Sequence, residues 1–157
     1  MSKDLYSDLS QLLKEIQPNS LLLIGDAAEL EGVDAVAETQ QISAAGSRSA
    51  LAGLGRFDLV IVLDALNELD KKQGELLLGS LKNLHAKRLL LSQTPCSNWL
   101  LQDFLAFAMG ELNHYPADAD RPEQQLFEYN IYSYKSVPEW LNNKFWANPN
   151  MWDKGRW

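Results

Sequence analysis

The stretch "FDLVIVLDALNELD" (57–70) runs five apolar residues, 59–63, straight into Asp64 and places Glu68 four positions further on. A short, wholly apolar run closed by an acid reads as a strand buried on both faces, as in parallel sheets, where exposed alternation is lost. Beyond it Leu66, Leu69, Leu76, Leu77, Leu81 and Leu84 keep a helical period, and a second apolar run at 88–91 follows almost at once. This is a strand, a helix and a strand. The two strands are expected to be parallel, because a helical crossover brings the chain back in the same direction.

Upstream, Leu5, Leu9, Leu12, Leu13 and Ile16 fall at helical spacing, with Ser2 or Asp4 as caps and Pro18 as a stop. "SLLLIGD" (20–26) repeats the pattern of the opening stretch: a buried strand, 21–25, closed by Gly25 and Asp26. "VDAVAE" (33–38) alternates and predicts a second, shorter strand, while the Ala-rich, Gly-interrupted "SAAGSRSALAGLGR" (43–56) predicts a poor or broken helix. Downstream, "SNWLLQDFLAFAMGEL" (97–112) predicts one helix capped by Ser97, with Trp99, Leu100, Phe104, Phe107 and Ala108 on its apolar face. The aromatic "LFEYNIYSYK" supplies a late strand at 126–134, antiparallel at the sheet edge because no crossover helix precedes it. The expected fold is α/β: a three-layer, doubly wound, mostly parallel sheet.

The chain has 157 residues, 46% apolar and 22% charged, which suits one soluble domain over 1–157 with the C-terminal segment 137–157 packed on it. No run of 18 apolar residues is present to cross a bilayer. The opening "MSKDLYSDLSQLLKEIQ" fits neither a signal peptide nor a transit peptide, so the expected compartment is the cytoplasm. Cys96 is the only cysteine, which suits a reducing compartment and excludes a cysteine-based metal cluster. The formal charge of -7 argues against nucleic acid, which is gripped by clustered Lys and Arg. The charge is unevenly spread: residues 135–157 carry four basic and two acidic side chains, +2, leaving -9 for everything before them.

In doubly wound sheets ligands sit outside the carboxyl ends of the strands, where the strand order reverses. That sets Gly25, Asp26 and Ala27 after the first strand beside Asp64, Ala65 and Leu66 after the middle one. Two readings of the acids compete. A carboxylate there accepts hydrogen bonds from ribose hydroxyls or an amino group, and a glycine admits close backbone approach; alternatively, Asp26 and Asp64 only cap turns and helices.

"LLLIGD" followed by "RFDLVIVLDALNELDKKQGELLLGSLKNLHAKRLLLS" resembles the first strand, then the fourth strand, its helix and the fifth strand, of class I S-adenosylmethionine-dependent methyltransferases. The whole chain is similar to a small uncharacterised bacterial family with a methyltransferase-like, Rossmann-like fold, whose members end in a similar "FWANPNMWDKGRW". The resemblance implies S-adenosylmethionine as cofactor, with Gly25, Asp26 and Ala27 in the first turn, Glu38 as the acid that holds the ribose, and Asp64, Ala65 and Leu66 against the cofactor. The sequence departs from that pattern. Ala27 and Glu29 fill two glycine places of the first turn, Leu23 stands where an acid is common, and 31 residues from Gly25 to Phe57 are too few for the full set of intervening elements.

Other constellations are thinner. His85 closes a Leu-rich helix, where the dipole favours it. His114 stands on a loop as an acid-base candidate without a partner at known spacing, and Cys96 precedes a helix with no base beside it. No phosphate loop, zinc-protease pair or nucleophile elbow occurs, and no metal is expected. Trp140, Phe145, Trp146, Trp152 and Trp157 either pack as core or anchor a protein partner or a second copy. The function expected is a non-catalytic binding or scaffold protein with a degenerate cofactor loop; the alternative is a small methyltransferase of unknown substrate.

Overall fold

Alternate residues of each central strand project to opposite faces, and both faces are apolar, so two hydrophobic layers form on one sheet. The computed structural model describes residues 4–132. The readings made for 137–157, and for the end of the late strand at 133–134, lie outside the described residues. Helix α1 (Leu5–Ile16) leads into β1 (Ser20–Ile24); β2 (Glu38–Ile42) and the short α2 (Ser47–Leu51) precede β3 (Phe57–Leu63). Then α3 (Lys71–Ser80) leads to β4 (Ala86–Gln93), and α4 (Leu101–Ala106) is followed by β5 (Gly110–Tyr115) and β6 (Gln124–Asn130).

The six strands lie in the order β2-β1-β3-β4-β6-β5. The first four are parallel, and β6 runs antiparallel to both β4 and β5. The expected α/β class and mostly parallel sheet are therefore present; the late strand is antiparallel as expected, but it lies between β4 and β5 and not at the sheet edge, which β5 takes. On one face Leu5, Leu9 and Leu13 of α1 meet Leu21, Leu23, Leu59, Ile61 and Leu90. On the other, Leu51, Leu77, Leu78, Leu81, Trp99 and Phe104 meet Leu22, Val60, Val62, Leu89 and Phe127. Phe104 stacks on Phe127 with ring centroids 4.0 Å apart and on Trp99 at 5.4 Å. Gly74 of α3 makes room for that cluster, since a Cβ there would stand 2.6 Å from Trp99 Cζ2.

Three predicted elements are corrected. Residues 33–38 do not form a strand: Val33–Ala35 is a 3-10 turn, with Val33 and Val36 packed against the α1 core. The strand begins where the prediction stopped, at Glu38. The helix expected over 97–112 is only Leu101–Ala106. It is started by Asp103, which accepts the Leu100 N–H at 2.8 Å, not by Ser97. Ala108, at φ 59°, turns the chain away, and residues 110–115 pair with β6 instead. His114 therefore lies in an edge strand, not a loop.

Candidate functional site

The order of strands reverses between β1 and β3, and their carboxyl ends bring the Gly25 turn beside the Asp64 turn. The contact is intimate. Gly25 has φ +108°, and a Cβ on it would lie 2.5 Å from the Leu63 carbonyl oxygen. Glycine is required here to let the two strand ends close. Its N–H donates to the Ile42 carbonyl at 3.1 Å, and its own carbonyl accepts from Gln41 Nε2 at 2.9 Å.

Asp64 is occupied in the same way. It sits at φ 51°, a left-handed conformation that Asp tolerates better than most residues. One carboxylate oxygen accepts the Thr94 N–H at 2.9 Å and Asn67 Nδ2 at 2.7 Å; the other accepts the Thr94 hydroxyl at 3.2 Å. Asp64 thus ties the end of β3 to the end of β4. Ala65 and Leu66 start a 3-10 turn, Ala65–Glu68, and both are buried. The network continues inward. Gln93 Nε2 donates to Asn67 Oδ1 at 2.8 Å and to the Thr94 carbonyl at 3.0 Å, and contacts Cys96 Sγ at 3.5 Å. Gln93 is buried, and its Oε1 has no hydrogen-bond partner among the described residues.

Glu38 is not brought to this place. It opens β2, opposite Ser20 at the start of β1, about 13 Å along the strand from the carboxyl end at roughly 3.3 Å per residue. Ile42 and Ser43 hold the position expected of a ribose acid. Ala27 packs partly against the α1 core, and Glu29, in a lost glycine place, pairs with Arg121 at 3.0 Å. Arg121 also pairs with Asp4, so the 116–123 loop is fastened to both α1 and the first turn.

Open space remains between the ends of β1 and β2 and the turn after β3. Gly25, Asp26, Gln41, Ile42, Ser43, Ala44 and Glu68 line a shallow, open crevice of about 500 Å³. Its charged side chains are Asp26 and Glu68, both exposed. Asp26 accepts the Ala28 N–H at 3.0 Å as a turn-forming aspartate. Among the described residues neither carboxylate has a basic partner.

The remaining candidates sit elsewhere. His85 is buried and donates from Nδ1 to the Gly55 carbonyl at 2.9 Å, a structural tie. His114 Nε2 meets Glu123 Oε1 at 2.6 Å with both side chains nearly half exposed. That pair lies four strand steps from β1, about 19 Å at roughly 4.8 Å per step. No group of three His, Cys, Asp or Glu side chains among the described residues is arranged to hold a metal. The roles of Asn67, Gln93 and Thr94 were missed in the sequence; the signal was the sudden polarity of "SQT" closing the apolar run of β4.

This arrangement defines a methyltransferase-like α/β protein, and solved structures agree in fold. The magnesium protoporphyrin IX methyltransferase (ChlM) from Synechocystis PCC 6803 with bound SAM matches with a TM-score of 0.55 at 16% identity, covering 78% of this chain and 76% of that one. Its SAH-bound form matches with a TM-score of 0.54 at 14% identity, over 78% and 80%. The methyltransferase domain of bacterial CtHen1-CN matches with a TM-score of 0.51 at 10% identity, over 80% and 96%. The chain belongs to the family of unknown function DUF6231, which it matches over residues 3–157. No curated protein matches the sequence. No helix among the described residues is long and apolar enough to cross a membrane.

Proposed function

We propose that this chain uses a methyltransferase-like fold as a binding or scaffold module, not as a methyl-transfer catalyst. One observation carries the reading: the polar groups at the carboxyl ends of β1 and β3, where a cofactor would be held, are engaged in joining strands. Asp64 already accepts three hydrogen bonds from Thr94 and Asn67, the Gly25 carbonyl accepts from Gln41, and Gly25 itself is required by the nearness of Leu63. With Glu38 at the opposite end of the sheet, the residues present do not fit the contacts that the resemblance assigns to S-adenosylmethionine. The crevice instead offers Asp26 and Glu68 to a ligand bearing positive charge.

The same two acids support a second reading, because S-adenosylmethionine carries a sulfonium and an amino group, and two of the similar structures hold SAM and SAH. Calorimetry of the full chain against both compounds separates the two. The scaffold reading expects no heat at millimolar ligand. Micromolar binding that disappears in Asp26→Ala or Glu68→Ala, with the melting temperature unchanged, would overturn it. Asp64→Ala is unsuitable for this purpose, because Asp64 supports the fold.

A further inference from the structure

The acidic crevice and an apolar groove are lined by residues adjacent in the chain. Ala44 and Glu68 border the crevice, and their chain neighbours Ala45 and Leu69 border a groove of about 170 Å³ between α2 and α3, where Leu76 stands 46% exposed. A half-exposed leucine above a concave apolar floor, next to carboxylates with no basic partner among the described residues, is a surface shaped for an aromatic and basic segment. The chain carries such a segment. Four of its five Trp residues and three of its Lys and Arg residues lie within 137–157.

We propose that residues 137–157 of the same chain occupy this trough, with a tryptophan in the α2–α3 groove and Lys154 and Arg156 facing Asp26 and Glu68. The inference rests on the reading of the crevice as a surface for positive charge. Charge favours the match: residues 137–157 hold +1 and the rest of the chain -8. Reach permits it. The described chain ends at Tyr132, near the start of β4, where the Ile131 N–H donates to the Lys87 carbonyl. Crossing the sheet to the groove takes about 30 Å, and 25 extended residues span about 80 Å. Another exposed apolar face, Leu101 and Leu105 of α4, suits the segment less well. Its nearby acid, Asp103, is already paired with Lys71 at 2.9 Å.

Tryptophan emission of the full chain tests this, because Trp99 is buried and stays a constant background. The expected result is blue-shifted emission resistant to acrylamide, in a chain that sediments as a monomer. Leu76→Glu, folded by circular dichroism, should shift the emission to the red and increase quenching, while Leu105→Glu should not. Should Leu76→Glu fail to fold, the charge swap decides: Glu68→Lys alone should lose protection, and Glu68→Lys with Lys154→Glu should regain it. Water-like emission in the native chain, a response to Leu105→Glu in place of Leu76→Glu, or protection that appears only with dimerisation would each overturn the proposal. The last would mean that a second copy fills the trough. Water-like emission leaves the carboxylate crevice as proposed above, since calorimetry judges that reading independently.

Discussion

Asp64→Ala should destabilise this protein by about 3–4 kcal/mol, although the position looks, by the resemblance, like a ligand contact. The side chain accepts three hydrogen bonds, from Asn67 Nδ2, the Thr94 N–H and the Thr94 hydroxyl. A typical hydrogen bond contributes about 0.5–1.5 kcal/mol net, and one to a charged group about 1.5–3 kcal/mol. Asp64 is half-buried, so solvent screening brings its bonds into the lower range, and at about 0.7–1 kcal/mol each the three together give about 2–3 kcal/mol. The substitution also places alanine at φ 51°, where a residue without a short polar side chain costs about 1 kcal/mol more. For a chain of this size, 1 kcal/mol shifts the melting temperature by about 2–4 °C, so Asp64→Ala should melt about 6–16 °C below the parent. Asp64→Asn keeps the shape and the tolerance of positive φ, and should lose less than half as much. Thermal melts followed by circular dichroism, with urea titrations to fix the free energy, make the measurement. An Asp64→Ala protein that melts within 2 °C of the parent would show that the carboxylate is not holding β3 to β4, and the case for a ligand there would return.

Gly25→Ala should lose about 2–4 kcal/mol in urea titrations, from a disfavoured φ of +108° and a Cβ 2.5 Å from the Leu63 carbonyl, a combination that no side-chain rotation relieves. Asp58 is held below the usual carboxylate range chiefly by its hydrogen bond from Lys87 at 2.9 Å, with the Asn19 N–H adding to it. Its folded pKa lies below the unfolded one, so its contribution is complete above about pH 4 and fades as pH falls through the lowered value; Asp58→Asn should flatten that acid limb of the stability profile. Burial first, and the Asp8 carboxylate second, hold the Tyr115 phenol above the ordinary tyrosine range, and the Tyr115 hydroxyl donates to Asp8 at 2.6 Å. Its stabilising share is therefore whole below about pH 10 and lost as pH rises further. Tyr115→Phe should cost about 1–2 kcal/mol at neutral pH and remove this alkaline loss, as seen in melts across pH.

The parts of the fold legible in the sequence are those whose side chains are buried on both faces. β1 and β3 announce themselves because nearly every residue must be apolar, and β4 through its apolar centre, Leu89 to Leu91. The edge strands do not. β2 reads "ETQQI" and is exposed for four of its five residues, so it is held by backbone pairing to β1 and leaves no periodicity to find. β5 reads "GELNHY", and the helical spacing of Leu, Phe and Met before it carried the predicted helix through a region that turns at Ala108 and pairs with β6. Long-range polar ties were equally silent: Asp64 and Thr94 are 30 positions apart and meet only because β3 and β4 are neighbours in register.

The displacement of one edge strand decides much of the candidate site. A strand over 33–38 would end at Glu38 and lift its carboxylate to the carboxyl end beside Gly25; the strand Glu38–Ile42 begins there and leaves it at the foot of the sheet. The retained glycine is equally ambiguous in sequence. A first-turn glycine suggests a backbone opened to a cofactor, yet here the space beside its Cα is filled by the Leu63 carbonyl, so the closure of β1 on β3 is sufficient reason for it. Features that the resemblance ascribes to ligand binding can therefore persist because parallel strands must end close together. What sets the crevice apart is the pair of acids without basic partners among the described residues, Asp26 and Glu68, and it is on them that a test of binding bears most directly.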